Sequence, residues 1–322
     1  MPRLDPFGMP VRIVPKLEWH NGKIYSYPCP TDQKRGLFIH ALMYGTSVFE
    51  GIRAYWNPEH QQMYLFRGID HFERMLRNAR DIMKFVVPYT AEQLTGATLD
   101  LLRRDGYQQN VYIRPIIFLE DPKIGVYGKR VSVIIMVVPF EKYNLKDKNS
   151  LSVCVSSWKR ATNAMLPPKG KIGGLYAQSY LAKEEAQRIG FDDAIFLNLD
   201  GTICEGSAAN LFMVKEGTLY TPDFASNILG GITRSTLMEI ARNDLGLTVV
   251  ETSLPASMLN ETDEMFFCGT GAEIEPISKI DDLNVVGNGD VGPITQQLQT
   301  AYFDIVYGRN ADYENWLVAV YQ

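Results

Sequence analysis

The run DAIFLNLDGTICEGSAANLFMVKEGTLYTP, residues 193–222, leaves this chain few ways to fold. Apolar β-formers are interrupted at Asp200-Gly201 and again at Glu216-Gly217, where glycine supplies the left-handed backbone of a tight turn. Three β runs joined by such turns commit the second half to hairpins. LSVCVSS before them and LTVVE and DEMFFC after them read as further strands. Helices interrupt the pattern from about Tyr176, from Thr233 as N-cap with Leu237, Ile240 and Ala241 inward, and near 293–307.

The first half mixes the same ingredients. DHFERMLRNARDIMKF (70–85) sets Phe72, Met75, Leu76, Ala79, Ile82 and Met83 on one helical face. A second helix, about 91–105, turns Leu94, Thr98, Leu101 and Leu102 inward. VYIRPIIFL (111–119) and VSVIIMVVP (131–139) read as strands, the second apolar enough to be buried on both faces. Composition then changes at EKYNLKDKNS, which is polar and has no period. The fold class is therefore α+β in two domains: a small one over 1–142, a linker over 143–150, and a large one over 151–322. A crevice between the two is where a ligand site is expected.

Composition excludes several function classes. Lys and Arg number 32 against 37 Asp and Glu, a net charge of −5, so no basic field invites nucleic acid or an anionic membrane. Four scattered cysteines without a CxxC pair argue against a disulfide framework or a zinc cluster, and no metal site is expected among the four histidines. No apolar run approaches the roughly 18 residues of a membrane span. MPRLDPFGMPVR carries no signal-like core, and the expectation is a cytoplasmic protein acting on small molecules.

The chemistry starts at PPKGKIGGLYA. Lys169 and Lys171 stand on a glycine-rich turn, and on loop propensity alone both are solvated. Glycines at 170, 173 and 174 would let a flat ligand approach closely, and a desolvated lysine can attack a carbonyl. Glu205, set among small residues in GTICEGSAANLF, is either an exposed strand position or a partner for a protonated ring nitrogen. LGGITRS leads a glycine turn into a helix whose first amides, at Ile232 and Thr233, are free for an anion. FCGTGAE offers a second such turn. Arg74 is a further anion candidate or a solvated helix residue. Tyr112 and Arg114 share one strand face and could read a carboxylate together.

Seven segments in order, ALMYGTSVFEGIRAY, HFERMLRNA, VYIRPIIF, KIGGLYA, DGTICEGSAANLF, GGITRS and GTGAEIEPI, resemble the branched-chain aminotransferase family, fold type IV of the pyridoxal-phosphate enzymes. The resemblance runs from about residue 20 to the C-terminus and implies a cofactor site in the crevice, on the large domain. It implies that Lys171, not Lys169, forms the Schiff base with pyridoxal 5'-phosphate, that Glu205 meets the pyridine nitrogen, and that Tyr176 meets the phenolic oxygen. Arg74, the Ile232 and Thr233 amides and Thr270 would hold the phosphate. Gly271 and Ala272 would meet the substrate carboxylate. Tyr44, Phe49, Phe140 and Tyr143 would form the apolar pocket, and Tyr112 and Arg114 would admit both a branched side chain and glutamate's distal carboxylate. The implied reaction moves the amino group of leucine, isoleucine or valine to 2-oxoglutarate by a ping-pong mechanism in a homodimer, with higher assembly open. Met43, Leu175 and Ala209 depart from the family's commoner residues. They keep alive a D-amino acid or (R)-amine aminotransferase, or an aminodeoxychorismate lyase, of the same fold. A non-enzymatic binding protein on the same scaffold is the other alternative.

Overall fold

The computed structural model describes residues 15–28, 38–140, 148–281 and 284–321. In chain order the first half contributes β1 (Leu17–His20), β2 (Lys23–Ser26), α1 (His40–Tyr44), β3 (Ser47–Phe49), β4 (Ile52–Asn57), β5 (Gln62–Phe66), α2 (Gly68–Asp81), α3 (Ala91–Asp105), β6 (Val111–Leu119) and β7 (Val131–Pro139). The rest supplies β8 (Leu151–Lys159), α4 (Tyr176–Arg188), β9 (Asp193–Leu197), β10 (Ile203–Gly206), β11 (Asn210–Lys215) and β12 (Thr218–Pro222). It continues with α5 (Ile232–Asn243), β13 (Val249–Thr252), β14 (Glu264–Gly269), β15 (Glu273–Ile280), β16 (Asn284–Val285), α6 (Pro293–Val306) and β17 (Leu317–Ala319).

Among the described residues the first sheet has the order β17-β5-β4-β6-β7-β1-β2, with β3 beside β6. Its pairings are antiparallel. The second has the order β10-β9-β8-β15-β14-β11-β12-β13, with β16 on β15, and mixes antiparallel hairpins with parallel pairs at β8–β9, β8–β15 and β12–β13. The Glu216-Gly217 turn closes β11 onto β12 with positive φ at both residues, +50° and +73°, as a tight hairpin requires. Asp200-Gly201 lies between β9 and β10, where Gly201 takes φ +86°. β17 returns to the first sheet, pairing Leu317 with Phe66, so the 151–322 range is not confined to the second sheet.

The helices follow the apolar stripes. α3 begins with a capping box, Thr90 and Gln93 each bonding the other's backbone N–H, and ends at Gly106 in the left-handed conformation. Phe72, Met75, Leu94, Leu101 and Leu102 of α2 and α3 pack on Ile113, Ile117, Val133, Ile135 and Val137. Ile82 and Met83 fall beyond the end of α2. β7 differs from the two-faced burial expected of it: Ile134, Met136 and Val138 alternate as only partly buried residues. The helices cover one face of this sheet. The same alternation in β6 leaves Tyr112 and Arg114 on the opposite face, where they line a cavity. The N-cap of α5 lies two residues before the expected one. It is Gly231, without a side-chain cap, and Thr233 lies inside the first turn. No described helix is long and apolar enough to cross a membrane.

Candidate active site

A cavity of about 350 Å³ opens between the two sheets. Lys171 reaches it from the turn before α4, and its Nζ donates to the Tyr176 hydroxyl at 2.7 Å. The ammonium sits 5.0 Å from the centre of the Phe49 ring. Lys169, two residues earlier, is exposed. The neighbouring glycines serve a purpose different from the one expected. A Cβ on Gly173 would lie 2.2 Å from Ser47 Oγ, and one on Gly45 would lie 2.7 Å from Gly174 Cα. It is backbone of the first half that fills this space: Gly174 N donates to Gly45 O, Phe49 N donates to Lys171 O, and Val48 and Ile172 form a β-bridge. The glycines thus let two chain segments touch, and that contact fixes the lysine beside Phe49.

Glu205 lies on β10 beside a register shift in the hairpin and is 3% exposed, which excludes a solvated strand position. Its Oε1 accepts from Arg160 Nη2 at 2.6 Å; its Oε2 accepts from Asn210 Nδ2 at 2.9 Å and from Leu229 N at 3.1 Å. Burial pushes its carboxyl above the ordinary glutamate range, against the Arg160 charge, the Leu229 N–H and the Lys171 charge. Asn210 also donates to Leu229 O, tying the carboxylate to the loop before α5.

The anion candidates converge on the same space. The α5 N-terminus presents Ile232 and Thr233 to the cavity, and Thr270, Gly271 and Ala272 line it from the turn between β14 and β15. Arg74 is buried on α2 and lines the cavity as well. Its Nε and Nη2 both bond the Glu50 carboxylate at 2.7 Å, and its Nη1 donates to Gly230 O at 2.6 Å. Glu50 is 0% exposed, and its second partner is His71 Nδ1 at 2.9 Å. Burial alone would raise the Glu50 pKa, but the Arg74 charge and the His71 and Arg74 hydrogen bonds hold it well below the ordinary range.

The apolar wall is made by Phe49 and Tyr112. Arg114 Nη2 donates to the Tyr112 hydroxyl at 3.0 Å, and its guanidinium lies 4.7 Å from the centre of the Phe49 ring. A Cβ on Gly51 would sit 1.9 Å from the Tyr112 oxygen, so glycine there makes the room Tyr112 needs. Phe140 stands behind Tyr112 at 5.3 Å between ring centres and does not line the cavity. Tyr44 points elsewhere: its hydroxyl accepts from Gly125 N at 3.0 Å and its ring meets His40. Tyr143 lies outside the described residues. Glu50, His71, Arg160 and Asn210 are the site residues that sequence reasoning missed. A Glu flanked by Phe49 and Gly51, an Arg just past the LSVCVSSWK strand and an Asn opening NLFMVK were the available signals.

The chain matches the family described as Amino-transferase class IV over residues 47–280. A probable branched-chain-amino-acid aminotransferase of Aquifex aeolicus is 39% identical over 294 residues, 90% of this chain and 93% of that protein. The branched-chain aminotransferase of Thermoproteus uzoniensis, solved with norvaline, superposes with a TM-score of 0.88 at 41% identity, over 95% of this chain and 100% of that one. The branched-chain amino acid aminotransferase of Thermobaculum terrenum, solved in its PLP form, gives 0.87 at 37% identity, over 97% of this chain and 100% of that one.

Proposed function

The chain belongs to the class IV aminotransferase family, and we propose that it transfers the amino group of leucine, isoleucine or valine to 2-oxoglutarate, with pyridoxal 5'-phosphate held between the two sheets. The observation that carries this reading is that one cavity brings the Lys171 amine, bonded to a phenol, together with a buried carboxylate, a helix N-terminus and an apolar wall backed by an arginine. These residues fit the cofactor. Glu205 has an anion's partners at the position that would face a ring nitrogen, and at Gly231 a Cβ would meet Asn210 Oδ1 at 1.9 Å, so backbone can approach closely before α5. When bound, pyridoxal phosphate supplies an electron sink that acidifies the substrate's Cα–H.

Lys171 would hold the cofactor through its amine and, with that amine free, would serve as the base that moves the substrate's Cα proton. A positioned base of this kind contributes about 10²–10⁴-fold. Tyr176 orients the lysine amine and would bond the cofactor's phenolic oxygen. Glu205 would keep the ring nitrogen protonated. Arg74, the first α5 amides and Thr270 would hold the phosphate, and Gly271 and Ala272 would receive the substrate carboxylate. Phe49 and Tyr112 would exclude water around a branched aliphatic side chain, while Arg114, held by Tyr112, would meet the distal carboxylate of glutamate. In this reading residues 1–142 and 151–322 are the two domains that wall the cleft. The enzyme is a cytoplasmic homodimer in this reading. Exposed Phe38 and Leu42 suit a subunit contact, which sedimentation checks.

Steady-state assays with L-leucine, L-valine, D-alanine and (R)-1-phenylethylamine test the substrate class: the first two should dominate, and negligible rates with them would sink it. Borohydride should trap pyridoxal phosphate on the wild type but not on Lys171→Ala.

A further inference from the structure

Arg160 follows directly after β8 and is 6% exposed. Its backbone N–H bonds Leu197 O at 3.0 Å, and its guanidinium lies 5.3 Å from the centre of the Phe196 ring. Only Nη2 has a protein partner, the Glu205 carboxylate; Nε and Nη1 are buried with none among the described residues. An arginine chosen for stability alone would spend its fork on the carboxylate or on carbonyls, because stranded buried donors cost desolvation. A buried carboxylate, in turn, takes up a proton unless a cation stands against it. The groups around Glu205 are few. Arg160 touches it, Lys171 acts across the cavity, and Asn210 and the Leu229 N–H are neutral donors. Cys204 beside it and Cys268 on β14 are thiols that burial keeps protonated. Lys171 bonds Tyr176 and does not touch Glu205, leaving, among the described residues, one cation in contact with the carboxylate.

We propose that Arg160 is a positioning residue for the transamination: its guanidinium holds Glu205 anionic and in place at the cavity wall, so that Glu205 can keep a proton on the ring nitrogen of the bound cofactor. The inference rests on the function proposed above. Arg160 touches neither substrate nor reacting atoms; it acts through Glu205. Removing its charge leaves Glu205 free to protonate in a low-dielectric wall, and a neutral carboxyl no longer stabilises the proton on the ring nitrogen.

The test uses the full chain as Arg160→Gln, which keeps a donor but removes the charge, Arg160→Met, which removes both, and Arg160→Lys. Three readouts apply: affinity of the apo-protein for pyridoxal phosphate, the absorption spectrum of the bound cofactor against pH, and the rate of the L-leucine half-reaction against pH. For Arg160→Gln we expect weaker cofactor binding, a tenfold or larger fall in the half-reaction rate at neutral pH, and an acid limb moved to higher pH. Arg160→Lys should return the limb most of the way. Arg160→Met combined with Glu205→Gln should lose no more than Glu205→Gln alone. An acid limb and cofactor affinity unchanged in Arg160→Gln would overturn the proposal, as would full additivity with Glu205→Gln. Should Arg160→Met fail to fold, the Gln and Lys variants decide alone. Cofactor affinity and spectrum need no amino-acid substrate, so failure of the branched-chain reading appears in the wild type and failure of this proposal in the variants.

Discussion

Two buried Arg–Glu pairs face the same cavity and come out differently. Glu50 receives both arms of Arg74 and a third bond from His71, whereas Glu205 receives one arm of Arg160 and two neutral donors. Both carboxylates are nearly inaccessible, at 0% and 3% exposure. Burial raises the pKa of each; in Glu50 the Arg74 charge, with the His71 and Arg74 hydrogen bonds, more than reverses it, and in Glu205 the Arg160 charge does not. Geometry, not depth, separates them. The first pair is a neutral, locked unit that pins Arg74 beside Gly230. The second is a carboxylate whose charge stays responsive to what occupies the cavity.

Breaking the locked unit should have the largest effect. Glu50→Ala leaves Arg74 buried without its counter-charge, and breaking a buried pair in this way costs about 3–5 kcal/mol, readable by urea unfolding of the apo-protein. The pH dependence sharpens the contrast. Glu50 is depressed below ordinary glutamate, so between its folded value and about pH 4.3 the unfolded chain binds more protons; its stabilisation is full above that range and is lost as pH falls. Glu205 is raised, so its contribution is full below ordinary glutamate and is lost as pH rises through the folded value. The stability gap between wild type and Glu50→Gln should therefore widen from about pH 3 to about pH 5 and then level off. The gap to Glu205→Gln should move the other way. Equal slopes would erase the distinction drawn between the pairs.

This distinction was not legible in the sequence, although much around it was. Hydrophobic period placed α2, α3 and β6, because each buries one stripe or one strand face in the same apolar core. The order of short motifs brought Lys171, Glu205 and the α5 start to one family, and the structure sets all three in one cavity. What escaped were the partners. Arg160 and Glu205 are 45 residues apart, and Glu50 and Arg74 are 24 apart, so no local pattern joins them. The two-faced burial expected of β7 failed for a related reason. Apolar content does not reveal that Ile134, Met136 and Val138 stand on a face that stays only partly buried.

A smaller perturbation reaches the responsive pair from outside. Gly231→Ala would drive a Cβ to 1.9 Å from Asn210 Oδ1, while Gly230→Ala meets only the edge of the Phe224 ring at 3.1 Å. Asn210 holds Glu205 Oε2 and Leu229 O together, so displacing it loosens the carboxylate and the start of α5 at once. Gly231→Ala should weaken pyridoxal phosphate binding about tenfold or more, the worth of one hydrogen bond to a charged group, with Gly230→Ala close to wild type. Equal affinity in both variants would mean that Asn210 does not position Glu205.

The smallest effect belongs to a pair of the same chemistry in water. Arg80 and Asp81 form a two-bond contact at 2.7 and 3.0 Å, yet their side chains are 73% and 51% exposed. This contact has the donor count of the Arg74–Glu50 fork without its burial. In water the two charges are already solvated apart, salt screens them, and holding two mobile side chains together offsets the attraction. Arg80→Ala should leave the thermal unfolding midpoint where the wild type has it at moderate salt. A clear drop would show that donor count alone sets the strength of these pairs. An unchanged midpoint, beside a large loss in Glu50→Ala, assigns the strength to donor count acting within a desolvated site, which is the condition that Glu50 meets and Glu205 meets only in part.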